Sequence, residues 1–291
     1  MELTAQCVWE ARTELGEGAI WVGAERALYY VDGLGGRILR YDEREGGRTV
    51  FQYDGTIGFI ARRAEGGLIA GIDNRLCAVD IATGEVKEIA FPEPDLPESR
   101  FNDAKVDMRG RLWAGTLDRE CRADVGALYR LDPDHSLHKM DSGYFCTNGP
   151  AFSPDGKILY HTDSLKRTIY QFDLDTVSGA LGERRVFVVL RDDQGMPDGM
   201  TVDASGRVWV AQFGGAGVTA YNPDGSVYAT VSVPSPNVTT CAFGGDDGST
   251  LFIATSLVSM TEEQKAHYPL AGGLFAVAGL AGGLPAFDFQ G

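Results

Sequence analysis

No apolar run in this 291-residue chain approaches the ~20 residues that a membrane helix needs, so no membrane-spanning helix is expected. Basic residues are scarce. Lys and Arg number 26 against 41 Asp and Glu, a formal net charge of −15, and no Lys/Arg cluster overrides that balance locally. Such a surface repels phosphate backbones and anionic lipid, which argues against nucleic acid and membrane as partners. Cysteine is sparse and odd in number: Cys7, Cys77, Cys121, Cys146 and Cys241 stand far apart with no C-x-x-C pair, and read as reduced, mostly buried thiols. The first residues, MELTAQCVWEART, lack a basic segment followed by an apolar core, so no secretory signal is expected and a cytoplasmic location is. Motifs of several common chemistries are missing too. There is no G-x-S-x-G elbow, no P-loop and no H-E-x-x-H, and the four histidines (His135, His138, His161, His267) are scattered. Gly33-Leu34-Gly35-Gly36 is a hairpin turn with no helix after it, and Asp192 to Asp198 lacks EF-hand spacing and its terminal Glu.

Helical periodicity is nearly absent, whereas short β-branched and aromatic runs between Gly-containing turns are abundant. Leu28-Tyr29-Tyr30-Val31, Leu112-Trp113-Ala114, Ile158-Leu159-Tyr160 and Val208-Trp209-Val210 are strand-like, and turns such as Asp155-Gly156 and Asp224-Gly225 punctuate them. The segments GEGAIWVGAERALYYVD, RFNDAKVDMRGRLWAGT, TNGPAFSPDGKILYHTD, PDGMTVDASGRVWVAQF and VTTCAFGGDDGSTLFIAT repeat one pattern, with TIGFIARRAEGGLIAGI as a weaker copy. Anchors at Trp21, Ile60, Val106, Phe152, Val202 and Phe243 are spaced by 39, 46, 46, 50 and 41 residues. Six units of this size predict an all-β, six-bladed β-propeller occupying residues 1–291 as one domain. A β-sandwich also alternates strands and turns, but does not require six copies of one unit. Gln6-Cys7-Val8-Trp9 precedes the first unit and is expected to close the ring as the outer strand of the last blade, and Thr261 to His267 to form a helical turn in a surface insertion.

Residues just before the innermost strands of a propeller converge on one rim. Four positions before each anchor stand Glu17, Thr56, Asn102, Asn148, Asp198 and Thr239, all carrying an oxygen. Polar strand starts alone explain the two threonines. A Glu, an Asp and two Asn in one ring are explained less well, because carboxylates facing each other across a narrow channel repel. A bound cation removes that repulsion, and carboxylate and amide oxygens suit a hard divalent ion.

These residues also carry a family likeness. The blocks Leu15-Gly16-Glu17-Gly18 with Trp21, Arg100-Phe101-Asn102-Asp103 with Lys105-Val106-Asp107, Ala114-Gly115-Thr116, Thr147-Asn148-Gly149 with Ser153-Pro154-Asp155-Gly156, and Pro197-Asp198-Gly199-Met200 occur in order. Phe243-Gly244-Gly245 and Ala271-Gly272-Gly273-Leu274-Phe275 continue the series, so the chain resembles the SMP-30/gluconolactonase/regucalcin family over nearly its whole length. It is particularly similar to bacterial sugar lactonases, including those that open xylonolactone. The resemblance implies that Glu17, Asn148 and Asp198 bind one divalent metal ion (Ca, Zn, Mn, Mg or Fe(II)), and that Arg100, Asn102, Asp103 and Glu120 contact the sugar lactone. At Glu120 the segment Asp118-Arg119-Glu120 departs from the more acidic one of animal members, as do the stretches after Cys121 and around Thr261.

The implied activity is hydrolysis of an aldonolactone to the aldonic acid by a monomer or weak homo-oligomer, with Asp198 doubling as general base. Three alternatives remain at this point: a propeller hydrolase of organophosphates or aryl esters, a calcium-binding regulatory protein, and an interaction scaffold.

Overall fold

The six repeat units form six antiparallel sheets in the computed structural model, which describes residues 1–291. Their innermost strands are Gly16–Val22, Ile57–Arg62, Ser99–Val106, Thr147–Phe152, Met196–Val202 and Val238–Gly244, and each of the six sequence anchors lies on one of them. Successive inner strands touch, and the last touches the first, so the sheets form the closed ring of a β-propeller. We number these sheets blades 1 to 6 in that order.

Ring closure uses the chain's beginning, as the sequence led us to expect. Gln6–Trp9 pairs antiparallel with Leu274–Val277 and completes blade 6 from outside. The preceding strand was not anticipated: Glu2–Thr4 pairs in parallel with Val227–Ser232, making blade 5 five-stranded. One short stretch of chain therefore ties two blades together. The expected helical turn is present at Glu262–His267, with Thr261 accepting from the Gln264 N–H as its cap and no buried residue.

Both faces of every sheet are covered, which is why the strands read as nearly continuous apolar runs. Six clusters of buried apolar side chains fill the six interfaces between neighbouring blades. Phe59 and Phe101, for example, meet edge to face between blades 2 and 3, with ring centroids 5.9 Å apart. Each such side chain contributes about 1.5–3 kcal/mol on burial. The repeated Asp-x-x-Gly-Arg-x-Trp segments have a local reason as well. Asp107 accepts the Trp113 indole N–H at 2.8 Å, and Asp203 accepts that of Trp209 at 3.0 Å, so each turn is pinned to its own blade.

The tail after Leu274–Val277 crosses the far end of the channel. It bridges to Asp203 through Gly283 and to Arg63 through Phe289, whose ring is fully buried. Beneath Leu284, Pro285, Ala286 and Phe287 lies an apolar cavity of about 90 Å³, lined by the C-terminal halves of the inner strands. That cavity is at the opposite end of the channel from the polar ring and, Arg62 and Lys105 apart, offers almost no polar chemistry.

Candidate metal centre

All six inner strands carry a β-bulge near their beginning. Regular pairing is interrupted between Glu17 and Ile20, Ile57 and Phe59, Phe101 and Ala104, Asn148 and Ala151, Pro197 and Met200, and Val238 and Thr240. A bulge bends its strand and re-aims side chains, and here it does so at the channel mouth in every blade. Glycine makes the close approach possible. A Cβ on Gly18 would sit 2.9 Å from the Phe59 Cα of the next blade, and one on Gly199 2.9 Å from the Thr239 carbonyl oxygen. A glycine follows each of Glu17, Asn148 and Asp198, a signal legible in the sequence but not used there.

The bulges bring acid side chains together out of water. Glu17 is 4 % exposed, Asn148 3 % and Asp198 6 %. Neither Glu17 nor Asp198 has a Lys or Arg within ion-pair distance. Burial, and then repulsion from Asp198 and Asp103, raises the proton affinity of Glu17 well above the usual carboxylate range. Burial and then Asp103 raise Asp198 likewise, against the opposing pull of the Gly199 N–H and Arg100. Glu17 Oε2 is buried and accepts no hydrogen bond. Asp198 Oδ1 accepts from the Gly199 N–H at 3.0 Å, while its Oδ2 has no partner within the chain.

Neighbouring residues hold this group in place. Asn148 donates through Nδ2 to Ser164 Oγ at 2.9 Å, and its Oδ1 accepts from Asn102 Nδ2 at 3.0 Å. Ser164 in turn donates to the Pro197 carbonyl at 2.6 Å, linking blade 4 to the strand that carries Asp198. Sequence reasoning missed Ser164, which stands outside the six-fold register and has no motif of its own. Asn102 also donates to the Thr147 carbonyl at 2.7 Å and accepts from Arg100 Nη1 at 2.8 Å. Both amide hydrogens of Asn102 are thus engaged, so in this structure it links Arg100 to Asn148 rather than offering a free donor to a lactone. Asp103 likewise uses Oδ1 on the Ala104 N–H at 2.8 Å and Oδ2 on the Gly149 N–H at 3.1 Å. Burial pushes its pKa up to about 6, against the opposing charge of Lys105.

The other expected positions differ. Thr56 Oγ1 bonds Asp73 at 3.0 Å and Thr239 Oγ1 bonds the backbone carbonyls of Gly16 and Ala254, so both threonines serve local structure. Glu120 is on the exposed rim past Leu112–Asp118, with its carboxylate 2.8 Å from Arg122, and no hydrogen bond ties it to the buried acids. Arg100 is half-buried, donates to the Phe101 carbonyl at 3.0 Å, and lies close enough to Glu17 and Asp198 to oppose their protonation. The cysteine expectation holds only in part: Cys77 and Cys241 are buried, while Cys7, Cys121 and Cys146 are half-exposed.

The donor set fits a hard divalent cation on the chain's own terms. Two buried carboxylates without ion-pair partners, one with an orphaned oxygen, and a fixed amide carbonyl supply hard oxygen donors and an uncompensated negative charge. The structure contains no cluster of three His, Cys, Asp or Glu, so soft-ligand sites of the zinc-finger type are not built here.

Residues 15–257 match the family described as SMP-30/Gluconolactonase/LRE-like region. The chain belongs to that family. A 6-deoxy-6-sulfogluconolactonase of Pseudomonas putida is 37% identical over 278 residues, covering 95% of each chain. A regucalcin of Danio rerio is 34% identical over 293 residues, covering 99% of each. Among solved structures, a calcium-binding regucalcin from Agrobacterium tumefaciens superposes with a TM-score of 0.94 at 25% identity, over 100% of this chain and 98% of that one. The family thus joins sugar lactonases and proteins named for calcium on one propeller, the fold found here.

Proposed function

We propose that this protein hydrolyses a five- or six-carbon aldonolactone to the aldonic acid, using one divalent cation held by Glu17, Asn148 and Asp198. The observation that carries this reading is the pair of buried carboxylates at the channel mouth, one with an orphaned oxygen and neither with a basic partner. Bound there, a divalent cation supplies a Lewis acid for the lactone carbonyl and for the negative charge that develops on its oxygen.

The chain's own groups do the rest. Asp198 Oδ2, free of hydrogen bonds within the chain, takes the proton from the attacking water, while the Gly199 N–H holds Oδ1 and fixes the carboxylate plane. Arg100 orients the sugar hydroxyls, and Asn102 fixes both Arg100 and the Asn148 amide. Glu120, exposed on the rim, contributes through the outer end of the substrate. Ser164 and Asp103 hold the strand starts in register so that these groups keep their places when a substrate docks. We infer that a regulatory calcium role is the lesser reading, because every blade is packed on both faces and a closed ring offers no second arrangement for an ion to select.

A pH-stat assay tests this on xylono-, arabinono-, galactono- and gluconolactone, with chelated protein and with Ca²⁺, Mg²⁺, Mn²⁺, Zn²⁺ or Fe²⁺ added back. The expected result is ring opening that disappears on chelation and returns with at least one ion. No rate above background on any lactone with any ion overturns the proposal.

A further inference from the structure

Lys105 has no part in the chemistry above. It lies on the inner strand Ser99–Val106 of blade 3, further down the channel than Asp103, and its Nζ donates to the Met200 carbonyl of blade 5 at 2.8 Å. Blade 4 stands between these two blades in the ring, so the bond crosses the central channel. An ammonium has three protons to donate. Lys105 uses one, makes no ion pair, and feels the charge of Asp103 only from beyond ion-pair distance. Burial draws its proton affinity below that of an ordinary lysine, which marks an ammonium short of compensating charge.

The same side chain lines the apolar cavity of about 90 Å³ at the far end of the channel. That space is hollow because five of the six inner strands present alanine to it: Ala19, Ala61, Ala104, Ala151 and Ala242. Larger apolar side chains would close it, as they do between the blades, and an empty void forfeits dispersion contacts. The second charged group on its wall is spoken for, since Arg62 places Nε on Asp288 Oδ1 at 2.6 Å and Nη2 on Oδ2. Residues 284–287 run over the opening. Gly283 anchors one end through its N–H on the Gly248 carbonyl at 3.0 Å, and Phe289 the other on the Arg62 carbonyl at 2.8 Å. Between these anchors no backbone hydrogen bond forms, and Phe287 is 41 % exposed, so the cover is tied only at its ends.

We infer that the far end of the channel is a second binding site, which takes a short aliphatic monocarboxylate such as butyrate. The carboxylate accepts the two free protons of Lys105, and the chain fills the space among the alanines. Size and polarity set this class. An apolar cavity of about 150 Å³ holds benzene, so one of about 90 Å³ holds a chain of roughly three carbons beyond the carboxyl group. Sugar acids are excluded, because their hydroxyls would be buried against alanine with no partners. An alkylammonium of the same length would meet the charge of Lys105. The site lies at the opposite end of the channel from the metal centre and does not rest on the lactonase reading.

The test titrates chelated full-length protein, in which no metal can capture a carboxylate, with butyrate, n-butanol and gluconate by calorimetry. Methyl NMR then records which alanines the bound chain touches. We expect butyrate to bind with a Kd of about 1 mM, n-butanol about tenfold more weakly or worse, and gluconate not at all. Bound butyrate should give contacts with the methyls of Ala19 and Ala242. Lys105→Met should weaken butyrate at least about tenfold, and Ala242→Leu, which fills the cavity from another blade, should abolish binding with the Lys105 ammonium intact. Absence of butyrate binding at about 20 mM, a twentyfold excess over that Kd, overturns the inference. So does n-butanol binding as tightly as butyrate, undiminished binding to either variant, or bound butyrate without contacts to these alanines. Should Lys105→Met fail to fold, the comparison of butyrate with n-butanol and the Ala242→Leu variant still decide.

Discussion

Replacing Glu17 by Gln reverses the sign of its effect on stability when metal is added. In the metal-free protein, Glu17 is a carboxylate 4 % exposed, repelled by Asp198 and Asp103, with an oxygen that bonds nothing. An unpaired buried charge costs several kcal/mol, and an amide of the same shape removes the charge at ~1 kcal/mol or so for its own unmatched atoms. Glu17→Gln should therefore stabilise chelated protein by about 1–3 kcal/mol, or about 2 °C in Tm for each kcal/mol in a chain of this size. Added metal stabilises the native state by RT ln(1 + [L]/Kd), about 4.1 kcal/mol at a thousandfold excess over Kd. The variant, having lost a ligand, gains only about 0.4 kcal/mol at the same concentration if its Kd rises about a thousandfold. It should then melt above the unsubstituted protein in chelator and below it with metal. The pH dependence has a definite sign. A carboxyl whose proton affinity is raised by folding stabilises the native state at low pH, and that stability is lost as pH rises through the folded pKa. Chelated protein should thus lose stability from the ordinary carboxylate range upward, less steeply in the variant. Differential scanning calorimetry at several pH values, with chelator and with Mn²⁺, makes the comparison. A variant less stable than its parent in chelator, and equally stabilised by metal, refutes the reasoning.

Further outcomes are expected. Asp198→Asn should lower kcat by about 10²–10⁴-fold and weaken metal binding, whereas Arg100→Ala should raise KM and leave calorimetric metal affinity nearly unchanged; the opposite pattern would reverse their roles. His161 is fully buried, neither ring nitrogen has a partner, and burial pulls its pKa down to about 3. A depressed folded pKa means stability lost as pH falls through the window from the ordinary 6.5 to about 3, so urea unfolding of His161→Phe should show a shallower decline between pH 7 and 5, by about 2 kcal/mol. A decline of unchanged steepness would show that the imidazole is protonated in the native state. Phe289→Ala should cost about 3–5 kcal/mol in urea unfolding, because that ring seals the core between blades 2 and 3 from the tail; a loss below ~1 kcal/mol would mean the tail packs without it.

The repeat was legible because it is local. Each blade is a strand–turn–strand unit whose apolar runs and Gly-containing turns lie within about fifty residues, and the anchors fell on the inner strands for that reason. Ring closure by Gln6–Trp9 was also foreseeable, since a propeller with one blade short of a strand leaves an open edge. The polar register picked Glu17, Asn102, Asn148 and Asp198 because six equivalent positions must meet at one axis.

What each of those residues does was decided by contacts between blades, which no spacing reveals. The bulges lie beside Glu17 and Asp198, near enough for Asp198 to repel Glu17, and the Asn102 amide proves to be engaged on both hydrogens by neighbours 45 and 46 residues away. Ser164, the parallel strand Glu2–Thr4 and the tail across the far end of the channel are of the same kind. Periodicity is set by bonds along the chain and can be read from it. The partner of a buried hydrogen bond is set by the closing of the ring, which brings distant segments to within ~3 Å and leaves each polar atom only the neighbours found there.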